Sequence, residues 1–152
     1  MAHHLYWYDE EDGILQIDVE GATSWDRFHD VIDSVVETLK TAPGDRVDVI
    51  FNSSAKMPKG NPIPHIQRTH RDLSRQEKMG LLVIVNQNHS AEMQILKVMV
   101  DIVLRTAGIV VPKMRLIVHT QEEALKLIYA DREAGEDSVS SAVHRRGRVP
   151  SL

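Results

Sequence analysis

The chain has 152 residues, which is the usual size of a single domain, and a formal net charge of −4. This mild charge argues against a nucleic-acid binder, and the absence of cysteine excludes disulfides, thiolate metal sites and thiol nucleophiles. No apolar run approaches the roughly 20 residues of a membrane span, and the first residues do not form a signal-peptide pattern. We therefore expect a soluble cytoplasmic protein with no nucleic-acid partner and no membrane span.

A β-hairpin is predicted at the start of the chain. Residues 5–8 and 14–19 are two short apolar-rich runs, and between them lies an acidic segment that ends in Asp12-Gly13, a pair favoured in hairpin turns. In the second run, apolar and polar side chains alternate. That alternation predicts a half-buried strand.

The next segments predict a helix, a strand, a loop and a second helix. Apolar residues recur at helical spacing over residues 25–39, and the β-branched run at 47–51 predicts a strand. Residues 52–64 contain three prolines and predict a long loop, which is uncommon in a compact domain and often functional. A helix is expected over residues 65–78.

The second half continues the alternation of strands and helices. Residues 81–85 predict a strand buried on both faces, residues 92–106 a very apolar helix, and residues 114–118 a last strand. The capping-box pattern at residues 120–123 opens a final helix. The order β-β-α-β-α-β-α-β-α predicts an α/β fold with a single mixed sheet, in which a β-hairpin is followed by parallel strands with crossover helices.

The end of the chain has a different composition. From about Asp131 the apolar period fails, and the remaining residues are rich in charge, serine and glycine. We therefore expect residues 1–130 to form the domain and residues 131–152 to form a largely flexible tail.

Two segments and the element order resemble a known superfamily. The opening strand contains residues 6–8 (Tyr-Trp-Tyr), and the closing helix begins with residues 120–125 (Thr-Gln-Glu-Glu-Ala-Leu). With the element order, they resemble the STAS superfamily and, more narrowly, the SpoIIAA-like bacterial proteins related to anti-sigma-factor antagonists. The resemblance covers residues 5 to about 130. It implies a compact non-enzymatic domain that binds protein partners or, in some members, nucleotides or lipids.

The chain departs from this family at the phosphorylation motif. The resemblance implies an Asp-Ser-Ser-Gly-like motif at the start of the helix after the third strand, with a serine whose phosphorylation switches the partner off. Here the corresponding residues 59–65 (Lys-Gly-Asn-Pro-Ile-Pro-His) contain no serine. Ser53 and Ser54 lie earlier, directly after the strand. The phosphorylation switch is therefore not expected in this chain.

Neither a catalytic centre nor a metal site is predicted. Ser53 and Ser54 lie in no Gly-x-Ser-x-Gly motif, and a role in capping the strand end accounts for both. There is no His-Glu-x-x-His pattern, and His65 and His70 lie roughly 140° apart around a helix. His70 is expected to be a hydrogen-bonded core residue. We expect no enzymatic activity, no metal and no cofactor.

A binding site is expected at one edge of the sheet. In open α/β sheets, ligands bind beyond the carboxyl ends of the parallel strands. Basic residues of the long loop and the following helix favour an anion near the start of that helix, unless they are ordinary solvated charges. The expected ligand- or partner-binding residues are Asn52, Ser53, Ser54, Lys59, His65, Arg68, Asn86, Asn88 and His89.

The helix over residues 92–106 is expected to be buried on more than one side, because its polar stripe is narrow. Packing between the sheet and the helix over residues 25–39 is one explanation, and a subunit interface is the other. We expect a homodimer built at least partly on this helix or its immediate neighbours. The expected interface residues are Met93, Leu96, Met99, Val100 and Val103.

The sequence thus predicts a non-enzymatic binding and signalling module of SpoIIAA-like type that acts through protein contacts. Its partners would be an unidentified protein and a second copy of the chain. The alternative is a small-ligand carrier that holds a lipid or an anionic metabolite at the carboxyl edge of the sheet.

Overall fold

The computed structural model of the chain describes residues 2–54, 56, 58–86, 91–106 and 114–147. Within these residues, strands and helices follow the expected order, which confirms the predicted fold class. The elements are β1 (Ala2–Asp9), β2 (Ile14–Glu20), α1 (Trp25–Thr41), β3 (Val47–Ser53), α2 (Ile63–Ser74), β4 (Met79–Asn86), α3 (Ala91–Thr106), β5 (Met114–Val118) and α4 (Gln121–Gly147).

The strands form one five-stranded sheet in the order β1-β2-β3-β4-β5. β1 runs antiparallel to β2, as the predicted hairpin requires, and each later neighbour pair is parallel. The sheet is therefore mixed. The carboxyl ends of β2 to β5 all lie at the same edge, which is where open α/β sheets place their ligands.

α1 and α2 cover one face of the sheet. Apolar side chains of α1 recur every three or four residues, so they form one stripe along the helix. This stripe packs on alternate side chains of β2 and β3, because successive residues of a strand point to opposite faces. The buried cluster on this face comprises Leu15, Ile17, Val19, Val31, Ile32, Val35, Leu39, Ala42, Val47, Val49, Phe51, Leu73, Met79 and Leu82.

α4 covers the opposite face of the sheet. Ala124 and Ile128 are fully buried there, in a cluster with Ile50 and side chains of β4. The same helix also covers Gln16, which is only 4% exposed. Gln16 and Gln121 exchange hydrogen bonds of 2.6 and 3.2 Å across this layer. The prediction that β2 is a half-buried strand is therefore wrong at Ile14 and Gln16, which α4 covers, whereas Glu20 on the same face is exposed.

Gly13 fixes the tip of the β1–β2 hairpin to the start of β3. Its φ of 69° lies in the left-handed region, which glycine adopts without steric cost. A β carbon at this position would overlap the carbonyl oxygen of Arg46. The carbonyl of Gly13 accepts a 2.9 Å hydrogen bond from the backbone N–H of Asp48. The Asp-Gly turn expected from the sequence is thus confirmed, and it has a second role in packing.

Asp48 is a fully buried carboxylate at the amino end of β3, with 0% exposure. It accepts hydrogen bonds from Arg46 at 2.9 Å, from Arg132 Nε at 2.8 Å and from the backbone N–H of Leu81 at 2.7 Å. Burial of a charge is costly unless it is paired and hydrogen-bonded, and both conditions are met here.

Further ion pairs extend this cluster to the hairpin and to α4. Arg132 donates to the carboxylate of Asp12 at 3.1 Å and to its carbonyl at 2.7 Å. Arg46 donates to Asp131 at 2.7 Å. The five residues Asp12, Arg46, Asp48, Asp131 and Arg132 form what we term the Asp48 network.

The network lies partly beyond the predicted end of the domain. α4 extends from Gln121 to Gly147, past residue 130, where the sequence predicts the end of the domain. The apolar period ends there, but Asp131 and Arg132 are held by ion pairs. The domain boundary itself stays a prediction. The flexibility of residues 131–152 stays a prediction.

α3 lies beside α2 and against β5. Val100 is 2% exposed and belongs to the core. Its predicted place at a subunit interface is therefore wrong, because the side chain is already buried within the domain. Met99 is half-buried. Of the other expected interface residues, the side chains of Met93, Leu96 and Val103 lie outside the described set.

The outer side of α3 carries apolar residues that the sequence did not single out. Ile95, Val98 and Ile102 are 59%, 57% and 58% exposed. In the part of the chain that the structure describes, no helix is both long and apolar enough to cross a membrane. Ile95, Val98 and Ile102 together form an apolar patch on the surface of α3.

Candidate functional site

A cleft of about 630 Å³ lies at the carboxyl ends of β2 and β3. The segment between β2 and α1 forms one wall, and the loop between β3 and α2 forms the other. We term it the carboxyl-edge cleft, and its lining residues are Gly21, Ala22, Thr23, Ser24, Trp25, Ser54, Lys56 and Lys59. Its position agrees with the edge that the sequence indicated.

Ser24 starts α1 at the wall of the cleft. It has extended backbone angles, and its side-chain oxygen accepts a 3.3 Å hydrogen bond from the backbone N–H of Arg27. Its carbonyl accepts the first helical bond, from Phe28 at 3.0 Å. This is the N-cap arrangement that serine favours. The positive end of the helix dipole therefore lies beside the cleft.

Trp25 joins the cleft to the start of α2. Its indole stacks on the His65 ring at a centroid distance of 4.5 Å and an angle of 5°, and it meets Phe28 edge-on at 5.6 Å. A β carbon at Gly60 would lie 3.9 Å from the indole, in ordinary contact. Among the described residues, the buried indole Nε1 has no hydrogen-bond partner. Trp25 thus lines the cleft and carries a buried donor that no described residue satisfies.

A pair of histidines lies behind the tryptophan. Nε2 of His29, on α1, is 2.8 Å from Nδ1 of His65, on α2. Burial lowers the pKa of His29, and the nearby charges of Arg68 and His65 lower it further. The neutral state that this favours is compatible with the contact, because one ring nitrogen must donate and the other accept. The pair therefore links the two helices that flank the cleft.

Lys56 and Lys59 provide the charge of the cleft. Both side chains are exposed, and within the described residues neither forms an ion pair. No carboxylate is present among the residues that line the cleft. Together with the hydroxyl groups of Thr23, Ser24 and Ser54, the lysines form a surface that favours anionic groups.

A separate polar row lies on the α4 face of the sheet. Asp18 accepts hydrogen bonds from Tyr6 at 2.8 Å, from Gln16 at 3.0 Å and from Asn52 at 3.4 Å. Burial raises the pKa of Tyr6, and the hydrogen bond to Asp18 raises it further. Asn52 is therefore engaged in a contact between strands, on the face opposite α1 and α2.

The structure brings only some of the predicted site residues together. Ser54 and Lys59 line the cleft, and His65 supports it through Trp25. Three residues are placed elsewhere: Asn52 belongs to the polar row, Asn86 is 1% exposed, and Arg68 lies 3.7 Å from Asp72. Ser53 is buried at the end of β3. Asn88 and His89 lie outside the described residues.

The residues of the β2–α1 segment were missed from the sequence. Thr23 and Ser24 are not among the predicted site residues, and Trp25 is predicted only as part of the apolar repeat of the first helix. The detectable signal is topological: this segment follows a parallel strand, so it must emerge at the same edge as the loop after β3. Lys56 belongs to the basic residues of the long loop that the sequence already indicates.

The described side chains include no group of three or more histidine, aspartate or glutamate residues that could hold a metal ion.

The expected core role of His70 is supported by a 3.3 Å contact between its Nδ1 and the Ser74 hydroxyl. The site is thus suited to hydrogen bonds and charge, and its described groups include no nucleophile paired with a base.

No protein-family model and no curated protein matches the chain. Two solved structures are similar to it: the Bacillus cell-fate determinant SpoIIAA in the phosphorylated form, and the anti-sigma factor antagonist SpoIIAA in its unphosphorylated form. The matches cover 84% and 85% of this chain and 99% and 97% of those chains, each with 16% sequence identity and a TM-score of 0.46.

Proposed function

We propose that this protein is a non-enzymatic binding module that recognises an acidic segment of a partner protein in the carboxyl-edge cleft. The observation that carries the proposal is the charge of the cleft. Lys56 and Lys59 are exposed and form no ion pair with any residue that the structure describes, and no carboxylate is present among the lining residues. Carboxylates of a partner can form charge-assisted hydrogen bonds there without displacing an existing ion pair.

The exposure of the lining supports a protein partner. Most of the lining residues are exposed, Ser24, Ser54 and both lysines among them. Sites for small molecules usually bury most of the ligand surface in a concave and largely apolar pocket. An open cleft between two loops, with mostly exposed lining residues, favours contact with another protein's surface.

The histidines support binding over catalysis. A serine nucleophile needs a base within hydrogen-bond reach. His65 Nδ1 instead contacts His29 at 2.8 Å, and the His65 ring is stacked on Trp25. These contacts are those of a structural support.

A small anionic ligand is the second candidate. The cleft volume of about 630 Å³ lies within the range of small-molecule sites, and the indole Nε1 of Trp25 is a buried donor without a partner in the described residues. A phosphate or carboxylate group that accepts from this nitrogen and from the lysines would satisfy it.

The test compares two charge-matched double variants. Lys56→Glu with Lys59→Glu changes the cleft, whereas Lys40→Glu with Lys126→Glu makes the same charge change at exposed positions on α1 and α4. The probe is a fluorescent glutamate-rich peptide, with a lysine-rich peptide of equal length as the reversed-charge control. We expect the cleft variant to weaken binding about tenfold or more, because the attraction becomes repulsion.

Each result has a defined meaning. Equal loss in both double variants would show that net charge alone attracts the peptide, and absence of binding to the unmodified chain would likewise contradict the proposal. A titration with inorganic phosphate, followed by NMR, tests the second candidate. Shifts confined to the cleft and abolished by Lys56→Glu with Lys59→Glu, without peptide binding, would favour the small anion over the protein partner.

A further inference from the structure

The outer side of α1 carries charges of one sign. All four acidic residues of this helix are exposed, and at about 100° per residue they lie within roughly 60° of one another, opposite the side that packs on the sheet. We term these residues the acidic stripe: Asp26, Asp30, Asp33 and Glu37. They are three or four residues apart, so their like charges repel one another and destabilise the helix. Only the last of them, Glu37, has an ion-pair partner among the described residues, which is Lys40.

The outer side of the neighbouring helix α2 carries the opposite sign. Arg68, Arg71 and Arg75 are exposed and lie within roughly 60° of one another, on the side away from the core. We term them the basic stripe, and their spacing again places like charges next to each other. Asp72 lies at the border of this stripe, with its carboxylate 3.7 Å from Nε of Arg68 and 3.4 Å from Nε of Arg71. In the described part of the chain, no ion pair joins the basic stripe to the acidic stripe.

The two stripes lie side by side on one surface. α1 and α2 each connect two parallel strands across the same face of the sheet, so the two helices run in the same direction. The 2.8 Å contact between His29 and His65 places these two residues at the same level along the helices. Since both helices rise by about 1.5 Å per residue, Asp33 lies within one residue of the level of Arg68.

This surface is complementary to that of a second copy of the chain. A two-fold axis that runs parallel to the helices, between α1 and α2, places the acidic stripe of each copy opposite the basic stripe of the other. Asp33 then faces Arg68 of the second copy. Glu37, one turn further along α1, faces the second copy's Arg71 and Arg75. An axis perpendicular to the helices would instead place stripes of like charge opposite each other, which is repulsive.

From this arrangement we infer that the outer face of α1 and α2 is a homodimer interface, in which each acidic stripe pairs with the basic stripe of the other copy. The interface is isologous, because every ion pair occurs twice about the axis. Exposed ion pairs are individually weak and are screened by salt, so the dimer depends on the whole set of pairs and on low ionic strength. No residue of either stripe lines the carboxyl-edge cleft, so the inference is independent of the proposed function.

The test reverses the charge of one stripe at a time. Asp33→Arg with Glu37→Arg makes both stripes basic, and Arg68→Glu with Arg71→Glu makes both acidic, so each double variant alone should dimerise at least about tenfold more weakly. The first variant changes the formal net charge from −4 to 0, so net charge alone would strengthen its association. An equimolar mixture of the two double variants restores opposite charges across both halves of the interface and should form a heterodimer. The chain with all four substitutions should dimerise as the unmodified chain does.

Light scattering over a concentration series at low ionic strength measures the mass. The inference predicts that the unmodified chain approaches twice its 17.2 kDa and returns to the monomer in about 1 M salt, where the Debye length is only about 3 Å. Glu122→Arg with Glu133→Arg is the matched control, because it makes the same charge change at exposed positions of α4 and should leave the dimer intact. A monomer at every concentration, a dimer that salt and the reversals leave unchanged, or equal weakening in the control would overturn the inference. Failure of the mixed double variants to form a heterodimer would overturn the pairing of the stripes.

Discussion

Charged residues have opposite environments at the two ends of the parallel strands: they are buried and paired at the amino end and exposed at the carboxyl end. At the amino end, Asp48 is fully buried and accepts hydrogen bonds from two guanidinium groups and a backbone N–H. At the carboxyl end, Lys56 and Lys59 are exposed and have no ion-pair partner among the described residues. Removal of one member of a buried pair is costly, whereas exposed charges contribute little to stability. The amino end therefore holds the domain together, and the carboxyl end is free to bind.

The largest expected effect is at Asp48. Asp48→Ala would leave Arg132, whose side chain is 18% exposed, without its buried partner and the Leu81 N–H without an acceptor. We expect a loss of about 3–5 kcal/mol in the free energy of unfolding, measured by urea denaturation. Asp131→Ala is the control, because its 34% exposed side chain should contribute about 1 kcal/mol or less. Equal losses in the two variants would remove the distinction between the two ends of the sheet.

Gly80 tests how tightly the Asp48 network is packed. A β carbon there would overlap the Asp48 carboxylate and the Arg46 guanidinium. Gly80→Ala should therefore cost about 1–3 kcal/mol, as overpacking usually does. Gly135→Ala is a matched control, since a β carbon at this position of α4 meets nothing within 4 Å, and alanine should stabilise the helix slightly. If Gly80→Ala leaves the free energy of unfolding unchanged or raises it, the side chains of Asp48 and Arg46 can move to accommodate the added β carbon.

The contrast between the two ends was only partly foreseeable from sequence. Apolar periodicity located every element, because burial imposes a repeat of 2 residues on strands and 3.6 on helices. The apolar repeat does not predict the burial of Asp48 and Arg132. These two charged residues are buried because they form an ion pair, although they lie 84 residues apart in the sequence. For the same reason the apolar period does not show that α4 continues through Asp131 and Arg132, and it places Gln16 of β2 toward solvent although α4 covers it.

The sequence predicts the edge of the sheet at which a site would lie, and it predicts the individual lining residues less well. Strand topology points to the carboxyl ends, where Ser54 and Lys59 line the cleft, and the role of this cleft as a binding site stays a prediction. However, Asn52 and Asn86 are predicted to bind a ligand because they lie near the ends of strands. The directions of their side chains instead place both residues outside the cleft. Asn52 points to the α4 face, where it donates to Asp18. Which loops approach each other across an edge depends on tertiary packing, which residue types alone do not encode.

The histidine pair predicts a pH dependence that belongs to the carboxyl end. Burial holds the folded-state pKa of His29 below its ordinary value of 6.5, so between these two pKa values the unfolded chain binds more protons. The carboxylates of Asp33 and Asp72 oppose this shift without reversing it. The stabilising contribution is present above pH 6.5 and is lost as the pH falls below it. The melting temperature should therefore fall as the pH is lowered from about 7 to about 5.5.

His29→Gln should reduce that slope, and His4→Gln, at an exposed position of β1, is the control that should leave it unchanged. Melting curves followed by circular dichroism over the same pH range provide the measurement. If the slope of His29→Gln equals that of the unmodified chain, the histidine pair is not its source.

The smallest effect is expected at the cleft itself. Lys56→Glu with Lys59→Glu should change the free energy of unfolding by less than about 0.5 kcal/mol, because both side chains are exposed and unpaired in the described residues. Urea denaturation beside the unmodified chain measures this. If this double variant lost as much free energy of unfolding as Asp48→Ala, the two lysines of the cleft would also contribute to the stability of the fold.

The Asp48 network has a consequence for the order in which the chain becomes structured. Arg46 lies two residues from Asp48, so these two can pair early, whereas Arg132 reaches Asp12 across 120 residues. Closing so long a loop is entropically costly and is favoured only once the intervening sheet exists. During synthesis, the hairpin and the first strand–helix units emerge from the ribosome well before α4. The nascent chain therefore exposes the apolar face that α4 later covers, and docking of α4 is the step that completes the domain.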